Sequence, residues 1–450
     1  MTEKRSVVAI AKELDQTTGL ADVQASVTKV FDLLGGVTKL IARGDKVVLK
    51  PNAGHAEGPE TAVCTSPAVV RAVIREVKKA MPSRIIIAES AAIGCDTLEC
   101  FEVSGIADVV REEAAAAEAA GEKIKIELYD IKRDTDLINI AVRGYKSNIK
   151  HCKLPRTLLE AEHIINLPIM KAHASMVFSC ALKNIKGTVQ DQVHSTMHQQ
   201  NLALAMMDVW WAVRPDINIV DAINVASGFS PHTPTPLYVG CIMGSTDPVA
   251  LDLIACDVVG IDTNAVSYFK AAEEAELGVA DRDRIDVIGE KVEDVYRKMW
   301  IPYLGDMKSR WPEYDIRCEG ACSSCQALLA LNMETLKALG IYEEKSDISI
   351  LCGPRNELPD KPADKIILHG NCTKRYKDKG MFIPGCPPGE TGMYLSIKLG
   401  HVVDGEIPGC IENEIRPNMN ADHPIWESYV TKKAEEFYGM PASELAKKCE

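Results

Sequence analysis

The chain has 450 residues, is 46% hydrophobic and carries a formal net charge of −13. That length and apolar content suffice for a large core, and for two units rather than one. The acidic balance argues against nonspecific binding to nucleic acid or to an anionic membrane. No apolar run reaches the roughly 18 residues of a membrane span, and "MTEKRSVVAI" has no cleavable secretory pattern, so a cytoplasmic protein is expected.

In chain order, "VVAIAK", "KVVLKPN", "RIIIAES", "KIKIELYD", "HIINLP", "INIVDAI", "LYVGCIMGS" and "RIDVIG" read as strands. Helical patterns over 21–42, 66–80, 106–121 and 247–259 lie between several of them. Short β-branched runs alternating with helices predict crossover connections and a mostly parallel sheet covered on both faces. Residues 130–160 look hairpin-like, which makes the sheet mixed. The fold class is therefore α/β, with a large domain over 1–300.

Residues 301–317, "IPYLGDMKSRWPEYDIR", read as a connection rich in aromatic and charged residues. A smaller cysteine-rich α/β domain over 318–402 follows. It is expected to hold a helix over 322–339, strands "ISILCGP", "KIILHG" and "MFIPGC", and a helix over 388–399. The tail 403–450 is polar, with a helix near 425–438.

Fifteen cysteines are many for a chain without a route to an oxidising compartment, and eight of them lie at or beyond Cys318. In a reducing compartment, clustered cysteines favour metal or redox use over disulfides. Cys180, Cys241 and Cys256, on apolar segments, read as small buried hydrophobes. Cys322 and Cys325 open a helix, Cys352 ends a strand, and Cys372 and Cys386 follow two others. Carboxyl ends of strands are where open α/β sheets bind ligands, and a helix N-terminus favours thiolates. Cys322, Cys325, Cys372 and Cys386 are the expected ligands of a [4Fe–4S] cluster, with Cys318 and Cys352 in reserve. Four-thiolate zinc is the rival.

The spacing Cys318-x3-Cys322-x2-Cys325 is that of radical-SAM enzymes. Against that reading, Ser324 stands where an aromatic residue is usual, only about 125 residues follow Cys325, and no Gly-Gly-Glu is present. Cys372 and Cys386 would also be left without a role.

The large domain's polar motifs centre on "VVLKPN" and "IINLPIMKAHASMVFSCALKNIKGTVQDQVHSTMHQQ". Lysines and amides suit a carboxylate or phosphate, and histidine suits proton transfer near neutral pH. Lys50, Asn52, Lys183 and Asn184 are the expected substrate-binding residues. Lys171 and His173 are expected just past the end of "HIINLP" as catalytic residues, with Asp221 orienting the base. Asn166 and Lys186 fall in the same stretch. His194 and His198 have the i,i+4 spacing of metal ligands but read as solvated, and Asp247 reads as a helix cap. No Walker loop, dinucleotide glycine motif or nucleophile elbow is present.

The blocks "VVLKPN", "INLPIMKAHASMVFSCALKNIKG", "NIVDAI" and "GSTDPVALDLIA" resemble the family called domain of unknown function 362, over roughly residues 45–260. The resemblance implies a shared fold unit and polar centre (Lys50, Asn52, Lys171, His173, Lys183, Asn184), and no reaction. Members often carry ferredoxin-type modules. This chain lacks their C-x2-C-x2-C-x3-C-P run, so ferredoxin ligand assignments do not transfer.

The expected protein is an iron–sulfur oxidoreductase from an anaerobe, acting on a small anionic organic substrate and served by an electron-transfer protein. Homo-oligomerisation is left open. Alternatives are an assembly or activation factor for another metalloenzyme, a cluster-dependent non-redox lyase or hydratase, and a zinc-stapled binding protein.

Overall fold

The computed structural model describes residues 5–12, 14, 22–142, 144, 146–199, 201–231, 233–302, 307–338, 340, 342, 346–386, 388 and 424–447. The chain divides into two compact units. One comprises Met1–Ala172, Phe178–Trp300 and Pro441–Glu450; the other comprises His173–Val177 and Ile301–Met440.

The first unit is built on strands β1 (Ser6–Ala11), β2 (Lys46–Pro51), β3 (Arg84–Glu89) and β4 (Lys125–Asp130). A separate antiparallel hairpin, β5 (Leu137–Ala141) with β6 (His151–Pro155), follows as the pattern predicted. Then come β7 (His163–Leu167), β8 (Ile169–His173), β9 (Val177–Ser179), β10 (Ile217–Phe229), β11 (Thr233–Ser245) and β12 (Ile285–Gly289). The main sheet runs β12-β1-β11-β10-β7-β2-β3-β4, with β8 on β10 and β9 on β8. It is mixed and mostly parallel: only the β1–β11 and β10–β11 pairings along that order are antiparallel. Strands β10 and β11 are 13 residues each, longer than the sequence pattern suggested.

The central strands are apolar on both faces because helices cover both. Ile85, Ile86 and Ile87 of β3 are all essentially inaccessible; full burial of each stabilises by about 1.5–3 kcal/mol. Helices Val23–Leu33, Pro67–Lys78 and Ile106–Ala119 supply Val27, Val30, Phe31, Val70, Ile74 and Val110 to one core cluster. The predicted helix over 21–42 is broken at Gly35 and Gly36, whose φ of 105° and 91° suit glycine and stop the first helix; the second is Val37–Leu40. Ser66 caps Pro67–Lys78 by accepting from Ala68 N, and proline takes the first position, where no N–H is needed.

The second unit holds a four-stranded, wholly parallel sheet: β13 (Asp315–Arg317), β14 (Ser349–Cys352), β15 (Ile366–His369) and β16 (Met381–Ile383), in chain order. The stretch 301–317 thus supplies β13 and a turn of helix, Met307–Arg310. Helix Ser323–Ala338 lies between β13 and β14. Most of the predicted helix over 388–399, and Cys410 and Cys449, lie outside the described residues. Helix Pro424–Tyr438 is present where the sequence indicated one. No described helix is long and apolar enough to cross a membrane.

Candidate functional site

Four neighbouring strands of the first unit carry polar residues side by side: near the carboxyl ends of β2, β3 and β7, and at the start of β10. Lys50 of β2 registers with Asn166 of β7, and Asn166 with Asn218 of β10. Glu89 ends β3 beside β2. Where strands are otherwise apolar, buried polar ends must find partners within the protein.

Lys50 is wholly buried. Its Nζ donates to Glu89 Oε2 at 2.9 Å and to the Pro51 carbonyl at 2.8 Å. Glu89 also accepts from Ala53 N at 3.0 Å and Ser90 N at 2.8 Å. Burial pushes the lysine pKa down and the carboxyl pKa up, and mutual attraction opposes both shifts. Gly187 packs so closely on this pair that a Cβ there would sit 1.7 Å from Glu89 Oε1 and 2.7 Å from Lys50 Nζ.

A directed chain of amides crosses these strands. Lys171 Nζ donates to Asn52 Oδ1 (2.9 Å), Asn52 Nδ2 to Asn184 Oδ1 (2.8 Å), and Asn184 Nδ2 to Asn166 Oδ1 (2.8 Å). Asn166 Nδ2 then donates to Asn218 Oδ1 (2.9 Å), and Asn218 Nδ2 to the Ser245 carbonyl (3.2 Å). Every dipole points the same way, so each bond polarises the next. The chain fixes Lys171, whose Nζ also donates to the Val63 carbonyl at 3.0 Å. Lys171 follows the end of β7, as the sequence suggested, but stands on a strand of its own, β8, which pairs with β10.

Lys171, Lys183 and Lys186 crowd together electrostatically. Burial lowers Lys171 and Lys186 to about 8 each. Burial also lowers Lys183 well below the ordinary lysine range, with Lys186, Lys171 and Lys50 adding repulsion. Among the described residues the Lys183 side chain has no hydrogen bond or ion pair. Asp252 builds the turn that carries it: this buried carboxylate accepts from Ala181 N at 2.8 Å and Leu182 N at 3.0 Å, and burial raises it to about 7. A cluster of lysines with no ion-pair partner among the described residues can bind a small anion.

The other expected residues lie elsewhere. Asp221 accepts from Ser66 N at 2.8 Å and Ile223 N at 3.1 Å, so its carboxylate ties down the start of helix Pro67–Lys78; burial raises it to about 6. Its described partners include no histidine. His173 groups with the second unit, and its Nδ1 receives the Ser175 N–H at 3.2 Å. His194 and His198 both turn to Lys186: His198 Nε2 is 2.5 Å from its Nζ, and His194 Nε2 is 2.6 Å from its carbonyl. Burial lowers both histidines to about 3. Asp247 caps its helix, accepting from Val249 N and Ala250 N. Glu89, Asn218 and Asp252 were not singled out from the sequence. Glu89 carried a signal, because it ends "RIIIAES" as Lys50 ends "VVLKPN".

In the second unit, the carboxyl end of each strand delivers a soft ligand. Cys318 follows β13, Cys352 ends β14, and His369 ends β15 and registers with Cys352. Cys372 lies in the turn after β15, and Cys386 follows β16. Cys322 and Cys325 stand at the start of helix Ser323–Ala338. One ligand atom each from Cys325, Cys352 and His369, all buried, lie within 4.8 Å of one another. Cys325 interacts with Cys322, Cys352 and His369, and Cys352 with Cys318. Contact with Cys322, then Cys352, holds the Cys325 thiol far below its ordinary range, while contact with Cys318 and Cys325 pushes Cys352 up. Cys372 and Cys386 are exposed. Burial raises Cys372, and the charges of Cys325 and Cys386 add to that rise. A cavity of about 400 Å³, with Lys308, Arg310, Glu319 and Gln326 on its wall, opens at Cys318. His369 was missed because a lone histidine in "KIILHG" shows no spacing to another ligand.

Comparison with known proteins gives three findings. Residues 47–257 match the model of the family described as "Domain of unknown function (DUF362)". The thylakoid-associated protein sll1697 of Synechocystis sp. is 25% identical over 262 residues, covering 56% of this chain and 75% of that one. Two solved structures are more distant. The lactate racemase apoprotein of Thermoanaerobacterium thermosaccharolyticum has 14% identity and a TM-score of 0.36, and the match spans 57% of each chain. A structural-genomics crystal structure of a Thermotoga maritima protein has 12% identity and a TM-score of 0.33, covering 80% of this chain and 79% of that one.

Proposed function

Residues 47–257 belong to the family of domain of unknown function 362, and on that footing we propose that the chain is an iron–sulfur oxidoreductase acting on a small organic anion. The observation that carries the reading is the convergence of Cys325, Cys352 and His369 within 4.8 Å, with further thiols in contact. Soft sulfur donors at strand ends and a helix start fit an iron–sulfur cluster. Cys318, Cys322, Cys325 and Cys352, joined by direct contacts, would hold it, with Cys372 and Cys386 at the rim. When bound, such a cluster supplies one-electron transfer. The chain's own residues bind the anion: Lys183 and Lys186 neutralise it, and the amide chain holds Lys171 in place. No nucleotide motif is present to bring electrons, so a small electron-transfer protein is the expected donor. A thiol-rich centre of this kind points to a reducing, cytoplasmic setting.

Iron, zinc and acid-labile sulfide per chain, with EPR before and after dithionite on anaerobically purified protein, test the reading. Iron with matching sulfide and a signal on reduction is the expected result. A labile, substoichiometric cluster would move the assignment to an assembly factor. Zinc without sulfide would overturn the redox reading. That second reading draws support from His369, since mixed cysteine–histidine sets suit zinc.

Anion binding is tested with oxalate and phosphate by calorimetry. Lys183→Met is expected to weaken binding about tenfold or more, as loss of a charged hydrogen-bond donor does. Lys171 and Lys186, lowered to about 8, lose their protons as pH rises through that value. Affinity should therefore hold below about pH 7 and fall above about pH 8, by up to about tenfold per unit for each amine. Flat affinity across that range, or an unchanged Lys183→Met, removes the lysines from the site.

A further inference from the structure

Two cysteines of the first unit, Cys64 and Cys95, contact His55, a third, Cys100, interacts with Cys95, and Cys64 borders the anion site through the charge of Lys171. His55 lies in the loop after β2, Cys95 in the loop after β3, and Cys100 inside helix Thr97–Val103. Cys95 Sγ is 3.9 Å from His55 Nδ1, and its thiol interacts most strongly with that of Cys100. Cys64 donates its S–H to the His55 carbonyl at 3.3 Å. Lys132 Nζ donates to the carbonyls of Ala92 and Cys95, at 2.8 Å each, and so brings a positive charge to the same loop. Cys95 is partly exposed; Cys64 and Cys100 are buried. Among the described residues this cluster is not tight enough to form a metal cage, unlike the group in the second unit. Neither the metal centre nor the anion site uses it.

We propose that Cys95 and Cys100 form a peroxide-oxidisable dithiol, with Cys95 the reacting sulfur, Cys100 the resolving one and His55 the proton carrier. The arrangement has the three parts such a site needs: an accessible sulfur, a base beside it and a second thiol in contact. Interaction with Cys100, and then His55, holds the Cys95 thiol well below its ordinary range, while Cys95 and burial push Cys100 up. In the first step Cys95 passes its proton to His55, and its sulfur attacks one oxygen of a hydroperoxide. The O–O bond breaks, Cys95 becomes a sulfenic acid, and the alcohol (water, for hydrogen peroxide) leaves with the proton from His55. In the second step the Cys100 sulfur displaces hydroxide from Cys95. The disulfide forms, and the Cys100 proton leaves in a molecule of water. Two electrons pass from the dithiol to the peroxide.

The test uses the full chain, purified without oxygen and with its metal centre in place. It is treated with one equivalent of hydrogen peroxide, quenched by alkylation and mapped by peptide mass spectrometry. The expected product is a Cys95–Cys100 disulfide, with Cys152, Cys180, Cys241 and Cys256 still thiols. Cys100→Ala should accumulate a dimedone-reactive sulfenic acid at Cys95. His55→Gln should slow oxidation of Cys95 about tenfold or more and move the midpoint of its alkylation to higher pH. The proposal is overturned if Cys95 oxidises no faster than the four buried thiols. It is equally overturned if the wild-type chain stops at the sulfenic acid, or if His55→Gln changes neither rate nor midpoint. These readouts are peptide-specific and do not depend on which metal the second unit holds.

Discussion

Cys352→Ser is expected to leave the second unit with less than about a tenth of its metal and to lower its unfolding temperature, because binding energy at a structural metal site is folding energy. The unit's strands are only three or four residues long, and the ligand groups stand at their carboxyl ends, so bound metal ties together strands that are short on their own. Cys352 touches both Cys318 and Cys325, so no neighbour can replace it. Cys325→Ser should do the same. Cys372→Ser and Cys386→Ser, at exposed positions, should keep most of the metal. Metal content and the visible spectrum of the four variants decide the ligand set. Loss from Cys372→Ser and Cys386→Ser, with retention in Cys352→Ser, would return the assignment to the set expected from the sequence. His369→Ala adds a distinction: it should cost metal if zinc is held by the buried trio, and cost little if four thiolates hold a cluster.

Gly187→Ala is expected to destabilise the first unit by about 3–5 kcal/mol, the usual cost of breaking a buried ion pair from one side. The added Cβ would meet Glu89 Oε1 at 1.7 Å and Lys50 Nζ at 2.7 Å. Neither end can move aside easily, because Lys50 is wholly buried and Glu89 is held by Ala53 N and Ser90 N. Glu89→Gln should cost a similar amount by leaving the ammonium without its counter-charge. The double variant Lys50→Met, Glu89→Leu should recover most of that loss, since the pair offsets its own desolvation more than it stabilises the fold. Denaturant melts of the three variants check this. If Gly187→Ala unfolds like the wild type, the tight approach of Gly187 to the pair is not a constraint on the fold.

Much of the architecture was legible before any tertiary contact was known. Apolar β-branched runs marked all eight predicted strands of the large sheet, because strands covered on both faces must be apolar throughout. Ser66-Pro67 and Asp247-Pro248 marked two helix starts, because capping is a local bond between a side chain and amides two or three residues on. The cysteines could be placed at strand ends by position alone, and the family blocks marked the polar centre. What stayed illegible were pairings across strands and loops far apart in the chain. Lys50 finds Glu89 39 residues away, and Asn184 reaches the Lys50 carbonyl across 134. His369 joins the thiols only because β15 registers with β14 and sets it beside Cys352. Asp221 reads as a base-orienting carboxylate at a strand end, yet the fold gives it backbone amides. The sequence by itself determined which segments become strands and helices, and which polar and sulfur groups stand at their ends, because those are set by local periodicity and capping. The tertiary structure alone decided which of those groups touch, because strand order and register, and not separation along the chain, bring side chains within bonding distance.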